Sequence, residues 1–415
     1  MRQCSVGRIP DELLNNEALN AAIAVLPSNY NFEIHKTVWQ VLNRKCRTVG
    51  LQFPEGLLLY SCMIADIIEK FTDAETIIFA EVTYGACCID DFTAGAMGCD
   101  LLVHYGHSCL IPVQETSEVP VLYVFVEMRF DTVHLIETLR SNFSNYPHLA
   151  LCSTVQFISS LQVLRIIVLW VFQAVKQALA SAEQKITIPQ CRPLSAGEVL
   201  GCTSPKLPAD ISGVVFVGDG RFHIESVMIA NPTFPIFKYD PYSKECTREY
   251  YDNERMLDVR KTSINQAAAC QTFGLILGTL GRQGSPAIFD VRKFRLLQCF
   301  IEIGVNILFE SLLHRVISLL AKVIHTLWIH VSCPRLSIDW GAQFEKPLLN
   351  PYEASVMLGV MEWQSVYPMN YYSADGPWNN RAVNSLRVKA ASQKQHVRVE
   401  FERLPPQQAT NDATH

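Results

Sequence analysis

The stretch TVGLQFPEGLLLYSCMIADIIEKFTDAETIIFAEV (Thr48–Val82) sets the architecture. It opens on an apolar run, TVGLQF, passes Pro54 into a helix-compatible segment from Gly56 to Lys70, and closes on a second apolar run, TIIFAEV. Strand, helix and strand in that order predict a parallel sheet, whose strands are buried on both faces and read as unbroken apolar runs. The pattern continues through LLVHYG (Leu101–Gly106), VLYVFVEM (Val121–Met128) and a helical segment from Asp131 to Arg140, completing one α/β unit. A second unit holds LALCSTVQF (Leu149–Phe157), an apolar helical stretch to about Ala182, ITIPQC, and GVVFVGDG (Gly213–Gly220) running into FHIESVMIA. A third begins with GLILGTLGRQGSP (Gly274–Pro286) and ends in LWIHVSCPRLSIDWG (Leu327–Gly341). The expected fold is three similar α/β domains with small parallel sheets, over residues 1–146, 147–265 and 266–372, followed by a polar, Pro/Gln-rich disordered tail over 373–415.

Composition agrees with several cores in one chain of 415 residues, because apolar residues are 49% and charged residues only 18%. Lys and Arg number 35 against 40 Asp and Glu, a formal charge of −5, which excludes binding nucleic acid by bulk electrostatics. Fourteen cysteines are too sparse for a disulfide scaffold and suit a reducing compartment. The first twenty residues, MRQCSVGRIPDELLNNEALN, carry no signal-peptide apolar core, so the cytoplasm is the expected location. The most hydrophobic run, VLRIIVLWVF (Val163–Phe172), is interrupted by Arg165 and is about half of the roughly 20 residues a membrane span needs.

The common catalytic signatures are missing: no GxxxxGK[ST], HExxH, GxSxG, CxxC or CxxxCxxC occurs. GTLGRQG (Gly278–Gly284) follows a strand, but its glycine spacing departs from the dinucleotide fingerprint. Three cysteines share a different property. Cys87 in TYGACCIDD, Cys202 in GEVLGCTSP and Cys333 in HVSCPRLSIDW each lie in a loop-like stretch beyond an apolar strand, one per unit. Sites in open α/β sheets collect at that edge, and three thiolates suit an iron-sulfur cluster with one open iron. The competing reading is three buried structural cysteines, a common fate for this residue. Cys88 would point away from Cys87 in extended backbone and is read as structural. HYGHSC places His104, His107 and Cys109 at a zinc-like spacing without a second half, and local hydrogen bonding is the plainer reading. GDGRFHIES offers Asp219, Arg221 and His223 in a strand-to-helix turn, able to hold a carboxylate or ribose, or simply to cap the helix through Asp219. LQFPEGL places Glu55 in a first helical turn, for capping or for function.

LQFPEGLLLY, VTYGACCIDDFTA, LLVHYGHSCLIP, PQCRPLSAGEVLGCTSP, GDGRFHIESVMIANP, GLILGTLGRQGSP, CPRLSIDWG and KPLLNPYEA together resemble the subunit 1 family of eukaryotic 2-(3-amino-3-carboxypropyl)histidine synthases, from roughly Ile9 to Tyr372. The resemblance implies a non-standard radical enzyme of diphthamide biosynthesis, in which Cys87, Cys202 and Cys333 ligate a 4Fe-4S cluster. The family cleaves the methionine Cγ–S bond of S-adenosylmethionine by one electron and adds the 3-amino-3-carboxypropyl radical to imidazole C2 of a histidine in translation elongation factor 2. It implies a heterodimer with a paralogous subunit 2, and electrons from a small metal-binding protein and a reductase. Since orientation of the sulfonium decides which C–S bond breaks, the loops carrying Asp219, Arg221, Arg282 and Gly284 are expected to hold the methionyl carboxylate and the nucleoside.

Two stretches depart from the family pattern. VLRIIVLWVF interrupts the helix of the second unit, and the apolar Gln298–Trp328 lacks the polar loop expected before the strand leading to Cys333. They favour another reading, a non-catalytic partner subunit, which the intact cysteine triad disfavours; a second alternative is a structural zinc protein using His104, His107 and Cys109 with one further thiol.

Overall fold

The structure is a computed structural model that describes residues 8–80, 85, 88–108, 119–161, 185–270, 272–278, 306–312, 327–371 and 373. The expected tail beyond Ser373, VLRIIVLWVF, Cys87, Cys109, Arg282 and Gly284 therefore lie outside the described residues.

After a short strand β1 (Tyr30–Asn31), the first sheet is built from β2 (Thr48–Gln52), β3 (Glu75–Phe79), β4 (Leu101–Tyr105) and β5 (Val121–Val124), in the order β3-β2-β4-β5 and parallel throughout. Side chains alternate between its faces. Val49, Leu51, Leu101, Val103 and Tyr105 pack with the helices Ile34–Arg44 and Ser61–Phe71, while Leu102, Val121 and Tyr123 pack with Ile89 and Ala94 on the other side. Burial on both faces explains why these strands read as apolar runs. The helical reading from Gly56 resolves into a 3-10 turn, Glu55–Tyr60, and an α-helix from Ser61.

VLYVFVEM is two strands rather than one. Val126 turns the chain at φ 56°, and β6 (Glu127–Met128) leaves the sheet to pair antiparallel with β1. A β-branched residue in the left-handed region is disfavoured by itself, so this kink is imposed by packing; Val126 is fully buried.

The second sheet holds β7 (His148–Ser153), β8 (Lys185–Thr187), β9 (Gly213–Val217), β10 (Ile236–Tyr239) and β11 (Cys246–Glu249), in the order β11-β10-β9-β7-β8. Only the edge strand β11 is antiparallel within it. The helix Thr132–Asn142 covers one face through Leu135, Ile136 and Leu139, and the helix Phe222–Ala230 covers the other through Ile224, Val227 and Met228. The third sheet is β12 (Thr272–Gly278), β13 (Asn306–Leu312), β14 (Leu327–Val331) and β15 (Leu348–Leu349), in the order β13-β12-β14-β15 and parallel. Ile264 and Ala267 of the helix Asn253–Ala268 and Ala354 of the helix Pro351–Met357 seal its core against Leu275, Leu327 and Ile329. Within the apolar stretch 298–328, β13 and the start of β14 are described, and both are strands of this sheet.

Candidate active site

Gly201 and Cys202 form the tip of a two-residue turn. Leu200 N–H donates to Thr203 O at 2.9 Å and Thr203 N–H returns to Leu200 O at 3.3 Å. Glycine is needed at 201 because a Cβ there would overlap the Phe222 ring. The turn is held from three sides: the Ser226 hydroxyl donates to Leu200 O at 2.5 Å, Ser204 N–H to Met369 O at 2.8 Å, and Val199 N–H to Ser153 O at 3.1 Å. The last contact runs the loop along the C-terminal end of β7, so Cys202 stands at that edge, 8% exposed, with the Thr203 hydroxyl 3.6 Å from its sulfur.

Cys333 follows β14 by two residues, half-buried, just before the helix Arg335–Trp340. Arg335 turns back across the seam between the third and second sheets. Its Nη1 donates to Gly201 O at 3.0 Å and Phe222 O at 2.9 Å, its Nη2 to Glu225 Oε2 at 2.6 Å, and its Nε to Asp339 at 2.9 Å. The guanidinium also lies 4.6 Å from the Phe222 ring centroid. The backbone around Cys202 and the helix beyond Cys333 are thus joined through one buried side chain.

A second seam joins the first and second sheets. The Ser108 hydroxyl donates to buried Glu198, whose other oxygen accepts Ser195 N–H at 2.9 Å, and Gln156 donates to Gly106 O at 2.8 Å. Gly106 has φ 72°, and a Cβ there would lie 2.9 Å from Leu57. This close approach delivers His107 to the seam.

His104 faces Gln52 in the β2–β4 register, with Nδ1 2.8 Å from Gln52 Oε1. Its ring stacks on His107 at 4.9 Å between centroids. Burial holds His104 well below the ordinary imidazole range, and His107 adds to the effect. Burial lowers His107 to about 4, opposed by its hydrogen bond to Tyr105 O. His223, arriving from the second sheet, is likewise lowered to about 4 by burial, with His107 and Arg335 as charge neighbours. All three imidazoles are neutral at neutral pH. A Cβ at Gly85 would lie 3.9 Å from His107 Nε2, so this cluster also abuts the chain two residues before Cys87.

Of the site residues expected from sequence, Cys202 and Cys333 stand at the C-terminal edges of their sheets, tied through Arg335. Asp219 lies in the turn after β9 but makes no capping bond to the helix Phe222–Ala230. Arg221 is engaged by protein acceptors: Glu225 at 3.2 Å, Glu249 at 2.5 Å and Tyr250 O at 2.9 Å. His104 and His107 have their Nδ1 atoms bonded to Gln52 and to Tyr105 O. Cys88 is fully buried. Among the described residues no group of three His, Cys, Asp or Glu could hold a metal ion; the remaining expected thiol, Cys87, is not among them. The sequence reading missed Arg335, Glu225 and Glu198, because nothing in one sequence marks a charged side chain as buried across a seam.

Three small, mainly parallel sheets in succession, with thiol-bearing loops on the C-terminal edges of the second and third, define a multi-sheet α/β protein. The chain belongs to the diphthamide synthesis protein family, whose model matches residues 53–368. Its relatives include 2-(3-amino-3-carboxypropyl)histidine synthase subunit 1 of Homo sapiens, 52% identical over 89% of this chain and 82% of that one. The Schizosaccharomyces pombe protein of the same name is 46% identical over 89% of this chain and 84% of that one. The fold is similar to the crystal structure of Dph2 from Pyrococcus horikoshii with 4Fe-4S cluster, with a TM-score of 0.63, 24% identity, and coverage of 82% of this chain and 94% of that one. Among the described residues no helix is long and apolar enough to cross a membrane.

Proposed function

We propose that this chain is the catalytic subunit 1 of a synthase that transfers the 3-amino-3-carboxypropyl group of S-adenosylmethionine to imidazole C2 of a histidine in translation elongation factor 2, the first step of diphthamide biosynthesis. The observation that carries the reading is the 52% identity, over most of both chains, to a protein named for that histidine synthase activity. Cys87, Cys202 and Cys333 would hold a 4Fe-4S cluster, one thiolate from each α/β domain. The two described thiols fit this: soft donors in loops at the C-terminal edges of separate sheets, with Cys202 shielded from solvent. When bound, the cluster supplies the electron that cleaves the methionine Cγ–S bond and releases 5′-methylthioadenosine.

The chain's own residues would orient and shelter the cofactor. Its sulfonium is cationic, and burial keeps His104, His107 and His223 neutral, so this cluster of imidazoles adds no repelling charge. Asp219 and Arg221, with Arg282 and Gly284, would hold the methionyl carboxylate and nucleoside. The paralogous subunit 2 completes a cytoplasmic heterodimer, and a small metal-binding protein with a reductase supplies electrons.

Iron, zinc and sulfide analysis with visible spectra tests this on protein anaerobically co-expressed with subunit 2, comparing wild type with Cys87→Ser, Cys202→Ser and Cys333→Ser. The expected result is about four irons and a brown wild type, with the colour lost in every variant. Zinc in place of iron, or variants that keep the wild-type spectrum, would overturn the reading.

A further inference from the structure

We propose that Arg335 is a positioning residue that fixes the Cys202 turn relative to Cys333 before a cluster is bound. The inference rests on the cluster reading above and extends it to a residue that is not a ligand.

Arg335 is 3% exposed, and desolvating a guanidinium is costly unless nearly every N–H finds an acceptor. Three of its acceptors belong to the second-sheet unit, Gly201 O, Phe222 O and Glu225, and one, Asp339, to its own helix. Gly201 immediately precedes Cys202, and Arg335 itself stands two residues beyond Cys333. Ser204 N–H to Met369 O and the Thr203–Asn370 bridge also tie the Cys202 turn to the third unit, but the link to the backbone just beyond Cys333 runs through one planar, rigid side chain. A guanidinium has five N–H groups in a fixed fork, so meeting four acceptors sets angles as well as distances. A lysine at this position keeps the charge opposite Glu225 and Asp339 but cannot reach both carbonyls in that geometry.

Thiolate ligands contributed by separate units would otherwise have to be brought together as the cluster binds, at a cost in ordering. Holding Gly201 O and the helix start in one array removes part of that cost. Glu225 extends the array, since its two oxygens accept from Arg335 and from Arg221.

The test compares Arg335→Lys with Arg260→Lys, an equally buried arginine whose acceptors are Glu353, Ser337 O and Leu348 O in the third-sheet unit. Both variants and wild type are purified anaerobically with subunit 2. Iron and sulfide content, the electron paramagnetic resonance spectrum of the reduced protein, the rate of iron loss to a ferrous chelator and the melting temperature are measured. Arg335→Lys is expected to lose iron about tenfold faster with an altered spectrum, the scale typical of residues that orient metal ligands. Arg260→Lys is expected to melt lower while releasing iron at the wild-type rate. An Arg335→Lys protein with the wild-type spectrum and rate overturns the proposal. If that variant does not fold, Glu225→Gln is read the same way, because it removes the carboxylate that holds Nη2. A wild type without iron overturns the cluster reading itself, a result distinct from any failure of Arg335.

Discussion

Arg260 and Arg335 are two buried arginines put to different uses. Arg260 is 0% exposed and closes a network between the helix Asn253–Ala268 and the third sheet that this helix covers: a bidentate pair with Glu353 at 2.6 and 2.8 Å, with Ser337 O and Leu348 O completing the fork. Glu353 in turn forms a capping box with Asn350 and accepts from the Tyr367 hydroxyl at 2.8 Å. Arg335 has a comparable number of partners, but most lie across the seam, on the Cys202 turn and the helix Phe222–Ala230. Equal satisfaction of buried charge therefore serves different ends: one network holds a helix to its own sheet, the other sets the relation between two units. The location of the acceptors, not the burial of the donor, separates the two roles.

The largest effect that can break this comparison is expected at Arg260. Arg260→Met leaves Glu353, fully buried, without its cation, and removing one partner of a buried pair costs about 3–5 kcal/mol. A thermal melt of the apoprotein should fall accordingly; an unchanged melting temperature would mean that the third-sheet core does not depend on this network. The histidine cluster gives the next effect, about 1–3 kcal/mol per imidazole. His107 and His223 titrate near 4 in the fold against 6.5 ordinarily, so the unfolded chain takes up protons first as pH falls. Their contribution is complete above about pH 6.5 and is lost progressively towards pH 4. Urea midpoints of the apoprotein across that window should drop, and His223→Asn should flatten the drop; identical slopes would remove His223 from the cluster.

The sheets were legible in the sequence because a parallel strand buried on both faces is largely apolar, as TVGLQ and LLVHY are apart from Thr48 and the mutually bonded Gln52 and His104. The kink at Val126 was not, since no local preference favours a valine at φ 56° and only the pairing of β6 with β1 demands it. Cys333 could be singled out by its place just after β14, a property local to the chain; Cys202 follows no strand directly and reaches its sheet edge through the long-range contact of Val199 with Ser153 of β7. Arg335 could not, because its burial depends on carbonyls at 201 and 222 and a carboxylate at 225, more than a hundred residues away. His104 and His107 are visible as neighbours in HYGHSC, but His223 joins them only through the meeting of two sheets.

The smallest stability effect is expected at Arg221, where it also sharpens the contrast most. Its side chain is 49% exposed, so its pairs with Glu225 and Glu249 are worth roughly 0–1 kcal/mol, and Arg221→Ala should melt close to wild type. As a binding residue, Arg221 would have to exchange a protein carboxylate for the methionyl carboxylate of S-adenosylmethionine. Arg221→Ala should then weaken cofactor affinity while leaving the visible absorption of the cluster intact, as should Arg282→Ala. Unchanged affinity in both variants would sink that role. Because Glu225 bridges Arg221 and Arg335, unchanged affinity combined with faster iron loss in Arg221→Ala would instead make Arg221 the outer member of the array that holds Arg335.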